Sequence, residues 1–351
     1  MKHGFFTRAA ALVLVLILAL SCVSCAGGGS SVSSSGNSSA SQQDSQIVLT
    51  DQAGREVVLD HPAQTVVSCY YITTYATIAL GVQDRVVGLE KKADSRPIYQ
   101  MAAPELLEKT AVGTLKELDV EAVAALKPEL VILPQKLSDY TDALTQLGIP
   151  VLVVNPESHQ ELVEMLQLLG TALGVEDRAK QLTDYYQEQM DRMTQLTKDA
   201  EKPVVYMGSN SSYMSTAPAA MYQSSLIDIA GGINAAAHLD GDYWTEVSYE
   251  DILVMAPQVI VIPAAAEYTA QDVLSDPQLA AVPAVADGKV YQMPTGIEEW
   301  DSPIPSGILG TMWLTSVLHP DAYAFEDFVA DAQNFYQTFY GFELDASLIT
   351  K

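Results

Sequence analysis

The sequence predicts an α/β protein made of two similar lobes joined by one long helix. Residues 118–134 and 247–263 repeat each other at a constant offset of 129 positions, without a gap and with matched residue types. On both sides of the chain's centre, apolar runs of four or five residues alternate with helix-like stretches. That is the order of βαβ units around a mostly parallel sheet. Between the two halves, residues 176–200 contain neither Gly nor Pro. They carry one apolar stripe at three- and four-residue spacing: Ala179, Leu182, Tyr185, Tyr186, Met190, Met193 and Leu196.

Taken in order, residues 1–25 read as a secretion signal. Lys2, His3 and Arg8 precede an apolar run at 9–20 that is too short to cross a bilayer comfortably. Residues 26–46 are rich in Ser, Gly and Gln, a flexible tether with a random-coil reach of about 25 Å. The first lobe, 47–170, opens with a hairpin: a strand at 47–50, a turn at 51–54 and a strand at 55–59. Further strands are expected at 66–68, 85–89, 130–133 and 151–154. Helices are expected near 73–80, 139–146 and 161–173, the first two closed by Gly81 and Gly148. Residues 171–201 form the connecting helix, and a helix over 176–200 would be about 37 Å long. The second lobe, 202–351, reads as strands at 204–207, 259–262 and 289–293. Its helices fall at 222–230, 248–255 and 308–318, with a final amphipathic one at 325–339.

Each copy of the repeat is one structural unit. Asp119 and Ser248 are good helix N-caps. The apolar residue before each cap is spaced to pack on Val123 or Ile252 as a hydrophobic staple. About two helical turns follow, a proline stops the helix, and a buried strand begins. Each copy also places a glutamate, Glu121 or Glu250, at the helix's second position. Matching acidic tips on two lobes imply a partner with two matching sockets.

The bulk numbers exclude some functions. Net charge is −26, from 18 basic and 44 acidic residues. This argues against nucleic acid and against adsorption to anionic lipid. Between positions 203 and 350 the one basic side chain is Lys289. The five histidines are scattered, so no zinc-type ligand cluster is legible. Of three cysteines, two lie in the signal region, and Cys69 reads as a small buried residue. Signatures of serine hydrolases, zinc proteases and phosphate or dinucleotide loops are absent. Glu298 with Asp301 is the one carboxylate pair an enzyme could use; the chain is expected not to be an enzyme.

Two resemblances sharpen the reading. Small residues before a cysteine, followed by Gly27-Gly28-Gly29, resemble the lipobox of bacterial lipoproteins. That likeness implies acylation of Cys25, with Cys22 as the alternative. Over about residues 47–342 the chain resembles the solute-binding proteins of bacterial ABC importers for ferric siderophores, heme and cobalamin. The likeness rests on Thr50-Asp51-Gln52-Ala53-Gly54-Arg55, Leu126-Lys127-Pro128-Glu129-Leu130-Val131 and Leu147-Gly148-Ile149-Pro150-Val151. It continues with Val247-Ser248-Tyr249-Glu250, Ala256-Pro257-Gln258-Val259-Ile260-Val261 and Asp287-Gly288-Lys289-Val290-Tyr291.

This resemblance implies two Rossmann-like lobes of the class III type, with ligand held in the cleft between them. It implies an ABC permease dimer with its ATPase as partner, docked through Glu121 and Glu250. The ligand would be a small-molecule metal chelate, with no resident cofactor or metal site. The protein would be a monomer anchored by lipid on the outer face of the cell membrane. In such a fold the loops beyond the strand ends hold the ligand. They offer Tyr70, Tyr71, Arg96 and Lys136 from the first lobe, and Asn210, Ser212, Tyr213, Met214, Glu298 and Trp300 from the second. A heme would want an axial Tyr, His or Met, for which Tyr71, Tyr213, Met214 and His238 are candidates. An oxyanion such as molybdate is the alternative ligand, because hydroxyls and backbone N–H groups can hold it without basic residues. The acids Glu298, Glu299 and Asp301 disfavour an anion if they face the cleft, and a neutral or cationic metal chelate fits them better.

Overall fold

A computed structural model describes residues 46–351 of the chain. The signal segment, Cys22, Cys25 and all of the tether except Gln46 lie outside these residues. Strand β1 (Ile47–Thr50) and β2 (Glu56–Leu59) form the expected hairpin. Its turn is organised by Asp51, which is 4% exposed. Asp51 Oδ1 accepts from the backbone N–H groups of Ala53 and Arg55, at 3.1 and 2.8 Å. Its Oδ2 accepts from Arg55 Nη2 at 2.6 Å and from Val153 N at 3.0 Å, which pins the hairpin to the lobe.

The first lobe continues through β3 (Val66–Ser68), α1 (Tyr71–Ala79), β4 (Val86–Glu90) and α2 (Pro97–Ala102). Then come β5 (Thr110–Thr114), β6 (Glu117–Leu118), α3 (Val120–Leu126) and β7 (Leu130–Pro134). Helix α4 (Thr141–Gln146) and β8 (Val151–Val154) complete it. The sheet order is β6-β5-β4-β3-β7-β8, parallel except for β5 with β6.

Two helices lead to the second lobe, α5 (His159–Leu173) and α6 (Glu176–Thr197). The expected connecting segment is therefore broken at Gly174, whose φ of +64° closes α5. Helix α6 has 22 residues, about 33 Å at 1.5 Å per residue. Its buried stripe is Ala179, Leu182, Tyr186 and Met193, while Leu196 stays 37% exposed.

The second lobe contains β9 (Val204–Met207), β10 (Ser215–Thr216), α7 (Tyr222–Ile229), β11 (Ile233–Asn234) and β12 (Thr245–Glu246). It goes on with α8 (Tyr249–Met255), β13 (Val259–Ile262), α9 (Ala270–Leu274), α10 (Pro283–Ala286) and β14 (Val290–Gln292). Helices α11 (Ile308–Leu318) and α12 (Phe325–Phe339) end it. The main sheet order is β11-β9-β13-β14, all parallel.

That order matches β4-β3-β7-β8 of the first lobe strand for strand, so the duplication extends beyond the repeat that reveals it. Within the repeat, both caps form as the sequence implies. Ala122 N donates to Asp119 Oδ1 at 2.9 Å. Ser248 and Asp251 make a reciprocal capping box. Leu118 and Val123 share one apolar cluster, Val247 and Ile252 another. Both helices also end on a left-handed non-glycine residue, Lys127 (φ 49°) and Ala256 (φ 45°), just before the proline. Alternate residues of each central strand serve different faces. Leu130 and Ile132 join the large core shared with α5, α6, α11 and α12. Val131 and Leu133 pack under α3 and α4.

Candidate functional site

In parallel α/β sheets, ligands bind beyond the carboxyl ends of the strands. In the first lobe that edge carries a cavity of about 380 Å³. Its walls are Tyr70 and Tyr71 after β3, Glu90 at the end of β4 with Lys91, Lys92 and Arg96 beyond it, and Thr114 at the end of β5 with Leu115 and Lys116 in the turn to β6, with Cys69 just after β3. Four basic side chains thus converge in a protein of net charge −26. Lys92 reaches its place through a left-handed backbone (φ 68°). This is a conformation a lysine rarely adopts, and one that is often held at functional sites.

Aromatic rings support the cavity. Tyr70 and Tyr71 meet edge-on at 5.2 Å, Tyr71 and Tyr75 at 5.6 Å, and Tyr75 and Tyr99 at 5.5 Å. The Arg96 guanidinium lies 3.9 Å above the Tyr71 ring, a cation–π contact. Burial opposes the charge on Arg96, but Tyr75 and Glu299 more than offset it and raise its pKa. Glu90 accepts from Tyr99 OH at 2.6 Å and Thr74 Oγ1 at 2.8 Å. Burial nonetheless pushes its pKa up. Burial, with a smaller effect from Glu90, also raises the Cys69 thiol well above its ordinary range, which removes it as a nucleophile.

The second lobe carries a cavity of about 510 Å³, lined by Ser209, Asn210, Ser211, Ser212, Met214 and Ser215 after β9. Tyr243, Trp244, Glu246 and Val247 form its far wall. The loop is held by its own hydroxyls. Ser212 N donates to Ser209 Oγ at 3.2 Å, and Met214 N donates to Ser212 Oγ at 3.0 Å. The Nζ of Lys136, at the end of β7, sits 5.3 Å from the Tyr243 ring centre. One lobe therefore reaches the rim of the other's cavity.

Of the expected ligand residues, Tyr70, Tyr71 and Arg96 come together in the first cavity, and Asn210, Ser212 and Met214 in the second. Lys136 lines neither and meets the rim of the second at Tyr243. Three expectations are corrected. Trp300 is fully buried in the second lobe, its Nε1 donating to Tyr336 OH at 2.9 Å. Glu298 is 4% exposed and turned inward. It accepts from Ser306 Oγ and Tyr336 OH, both at 2.6 Å, and from Tyr340 OH at 3.1 Å. Tyr213 is not among the residues lining the cavity; its OH donates to Asp276 Oδ2 at 2.9 Å, where Tyr249 OH donates as well.

Asp301 is also buried, at 2% exposure. Burial, and secondarily Glu299, lift it to about 7. Two of the three acids that would have repelled an anion therefore do not face the cleft. The same burial removes Glu298 and Asp301 as an accessible hydrolytic pair. Lys91, Lys92 and Lys116 were missed by sequence reasoning. Their signal was the clustering of basic residues in the first half of an acidic chain, but the turns that gather them have no periodicity to read.

Glu121 and Glu250 are both exposed, in the first turns of α3 and α8. They belong to different lobes, and neither lines either of these two cavities. Among the described residues, no group of three His, Cys, Asp or Glu side chains could hold a metal ion.

Comparison with known proteins bears on this geometry. A model of the periplasmic binding protein family matches residues 66–295. The chain is 26% identical over 323 residues to the molybdate-binding protein MolA of Haemophilus influenzae, covering 84% of this chain and 90% of that one. It is 29% identical over 224 residues to YvrC of Bacillus subtilis, an uncharacterized ABC transporter substrate-binding lipoprotein, covering 61% and 68%. Among solved structures, a periplasmic solute binding protein from Veillonella parvula superposes with a TM-score of 0.75 at 25% identity, covering 86% and 95%. Molybdate-bound MolA superposes with a TM-score of 0.76 at 22% identity, covering 85% and 99%. The class III fold implied by the sequence is the fold observed.

Proposed function

Because this chain belongs to the periplasmic binding protein family, the class that serves ABC importers, we propose that it captures an anionic metal chelate between its lobes and delivers it to a membrane permease. The observation that carries this reading is the convergence of Lys91, Lys92, Arg96 and Lys116 on one cavity of an otherwise acidic protein. Aromatic faces at Tyr70 and Tyr71 suit the flat or apolar parts of a chelate, and the serine-rich wall opposite supplies neutral donors. Glu121 and Glu250 are the proposed contacts to basic sockets on the permease dimer, which works with its ATPase. The mature protein is proposed to be a monomer outside the cytoplasm, tethered through lipid on Cys25, or Cys22 in its place. The description of YvrC as a lipoprotein supports that assignment. The chain is proposed to bind without catalysing a reaction.

A tetrahedral oxyanion is the second reading. It is favoured by the likeness to MolA over most of the chain and by the hydroxyl-lined wall. It would fill only a fraction of either cavity, which is why a larger chelate is preferred.

Titration with a panel of anionic ferric chelates and molybdate, followed by intrinsic Tyr/Trp fluorescence, tests the reading. One-to-one saturable binding that weakens with added salt is expected. Replacing Lys91, Lys92 and Lys116 together by Gln should lower affinity about 100-fold, at roughly 1 kcal/mol for each lost charge contact. Affinity that ignores both salt and the triple replacement would contradict an anionic ligand in this cavity.

A further inference from the structure

We infer that Glu299 of the second lobe is a built-in occupant of the anion subsite formed on the first lobe by Arg96 and Tyr75, so that an anionic ligand binds by displacing it. Glu299 would then be a specificity-determining residue, rejecting any anion that contacts Arg96 more weakly than the protein's own carboxylate does. This inference rests on the proposed reading of the first-lobe cavity as the anion site.

Three adjacent facts support it. The loop after β14 carries Glu298, Glu299 and Asp301, and Glu299 is the one whose side chain leaves its own lobe: Glu298 and Asp301 are 4% and 2% exposed and face inward, while the Glu299 side chain is 24% exposed. Both Glu299 oxygens are engaged across the cleft. Arg96 Nη1 donates to Oε1 at 3.1 Å, and Tyr75 OH donates to Oε2 at 3.0 Å. These are the contacts a ligand carboxylate would make. The Arg96 guanidinium is also incompletely used. Its hydrogen bonds to the described residues all leave from Nη1, to Glu299 Oε1 and to Tyr75 OH at 3.2 Å, while Nε is buried 3.6 Å from the Glu90 carboxylate.

The last fact explains why exchange can favour a ligand. Arginine binds carboxylates and related anions best with two parallel N–H donors. Glu299 takes one donor from Arg96 and spends its second oxygen on Tyr75. An anion arriving from the cavity side can meet Arg96 together with the lysines that share this cavity, which do not touch Glu299 in the structure. Anions able to span several donors would displace Glu299, and compact monoanions would not.

Calorimetric titration of the full chain with citrate and with acetate tests the inference, comparing wild type, Glu299→Gln, Arg96→Gln and the double variant. Glu299→Gln should bind citrate at least tenfold more tightly and should gain measurable acetate binding. The gain should vanish in the Arg96→Gln background. Unchanged or weaker citrate binding by Glu299→Gln, or an equal gain without Arg96, would overturn the inference. The outcomes separate the two levels of the reading. Loss of citrate binding in Arg96→Gln without gain in Glu299→Gln removes the competitor but keeps the anion site. Citrate affinity indifferent to both Arg96 and the cavity lysines removes the site as well.

Discussion

Reversing both tip carboxylates, Glu121→Arg together with Glu250→Arg, is expected to leave ligand affinity within about twofold of wild type and to cut uptake in the host at least 100-fold. Each glutamate sits in the first turn of a short capped helix, where the positive end of the helix dipole favours an acid. Each is exposed, and neither lines either of the two cavities assigned to the ligand. The ligand should therefore not sense the change. A carboxylate seated in a basic socket is a strong, geometrically specific contact, and reversal both removes it and places like charges together. In the proposed docking role two sockets are engaged at once, so each loss compounds the other and single reversals should fall between wild type and the double. The cost to folding is small, about 0.5–1 kcal/mol for each lost helix-dipole interaction. Purified protein, titrated and melted beside the uptake assay, separates the effects. A loss of ligand affinity matching the loss of uptake would contradict the docking role.

The second large effect concerns stability and pH. Burial raises Glu298 from 4.5 to about 7, against hydrogen bonds from Ser306, Tyr336 and Tyr340 that lower it. The folded pKa is the higher one, so the stability linked to this proton is fully present below about pH 4.5 and is lost as pH rises through 7. A rise of this size corresponds to about 3 kcal/mol by pH 8. Asp301, raised from 3.8 to about 7, acts in the same direction. His159 acts in the other. Burial beside Tyr186 and Tyr222 lowers it from 6.5 to about 4, so its contribution is lost as pH falls through that range.

The two acids outweigh the histidine above pH 6, and melting temperature should fall between pH 6 and pH 8. Glu298→Gln resembles the protonated acid at every pH. It should therefore flatten that fall, raising the pH 8 melting temperature by roughly 5 °C while changing the pH 5 value little. Equal pH slopes in wild type and variant would show that Glu298 stays ionised in the fold.

The parts of this protein legible in its sequence are those governed by local chemistry. The repeat announced itself through cap, staple and proline at fixed spacing, and each of those devices forms. Helix α11 was legible because it is rich in apolar residues and carries no charge, its polar positions being only Thr and Ser, which suits a helix buried on nearly all sides. The segment from α2 to β6 was not assigned, since it mixes short helical turns with strands too brief to show a period. Lys92 could not be read as left-handed, because nothing in its neighbours demands that backbone.

The orientation of the loop after β14 was equally hidden. Glu298 and Glu299 are adjacent and chemically alike, yet one is claimed by Ser306, Tyr336 and Tyr340 inside the second lobe and the other by Arg96 and Tyr75 across the cleft. Trp300 and Tyr213 looked like ligand aromatics for the same reason. Their partners, Tyr336 and Asp276, come from elements 36 and 63 positions away.

Native mass spectrometry of the chain purified gently from its own host, with elemental analysis of the same sample, reaches the central claim most directly. One small anionic species per chain, carrying a metal, leaving on mild activation and retained less by the Lys91, Lys92 and Lys116 triple variant, is the expected spectrum. A cationic or uncharged species held equally well by both proteins would contradict capture by the basic cavity.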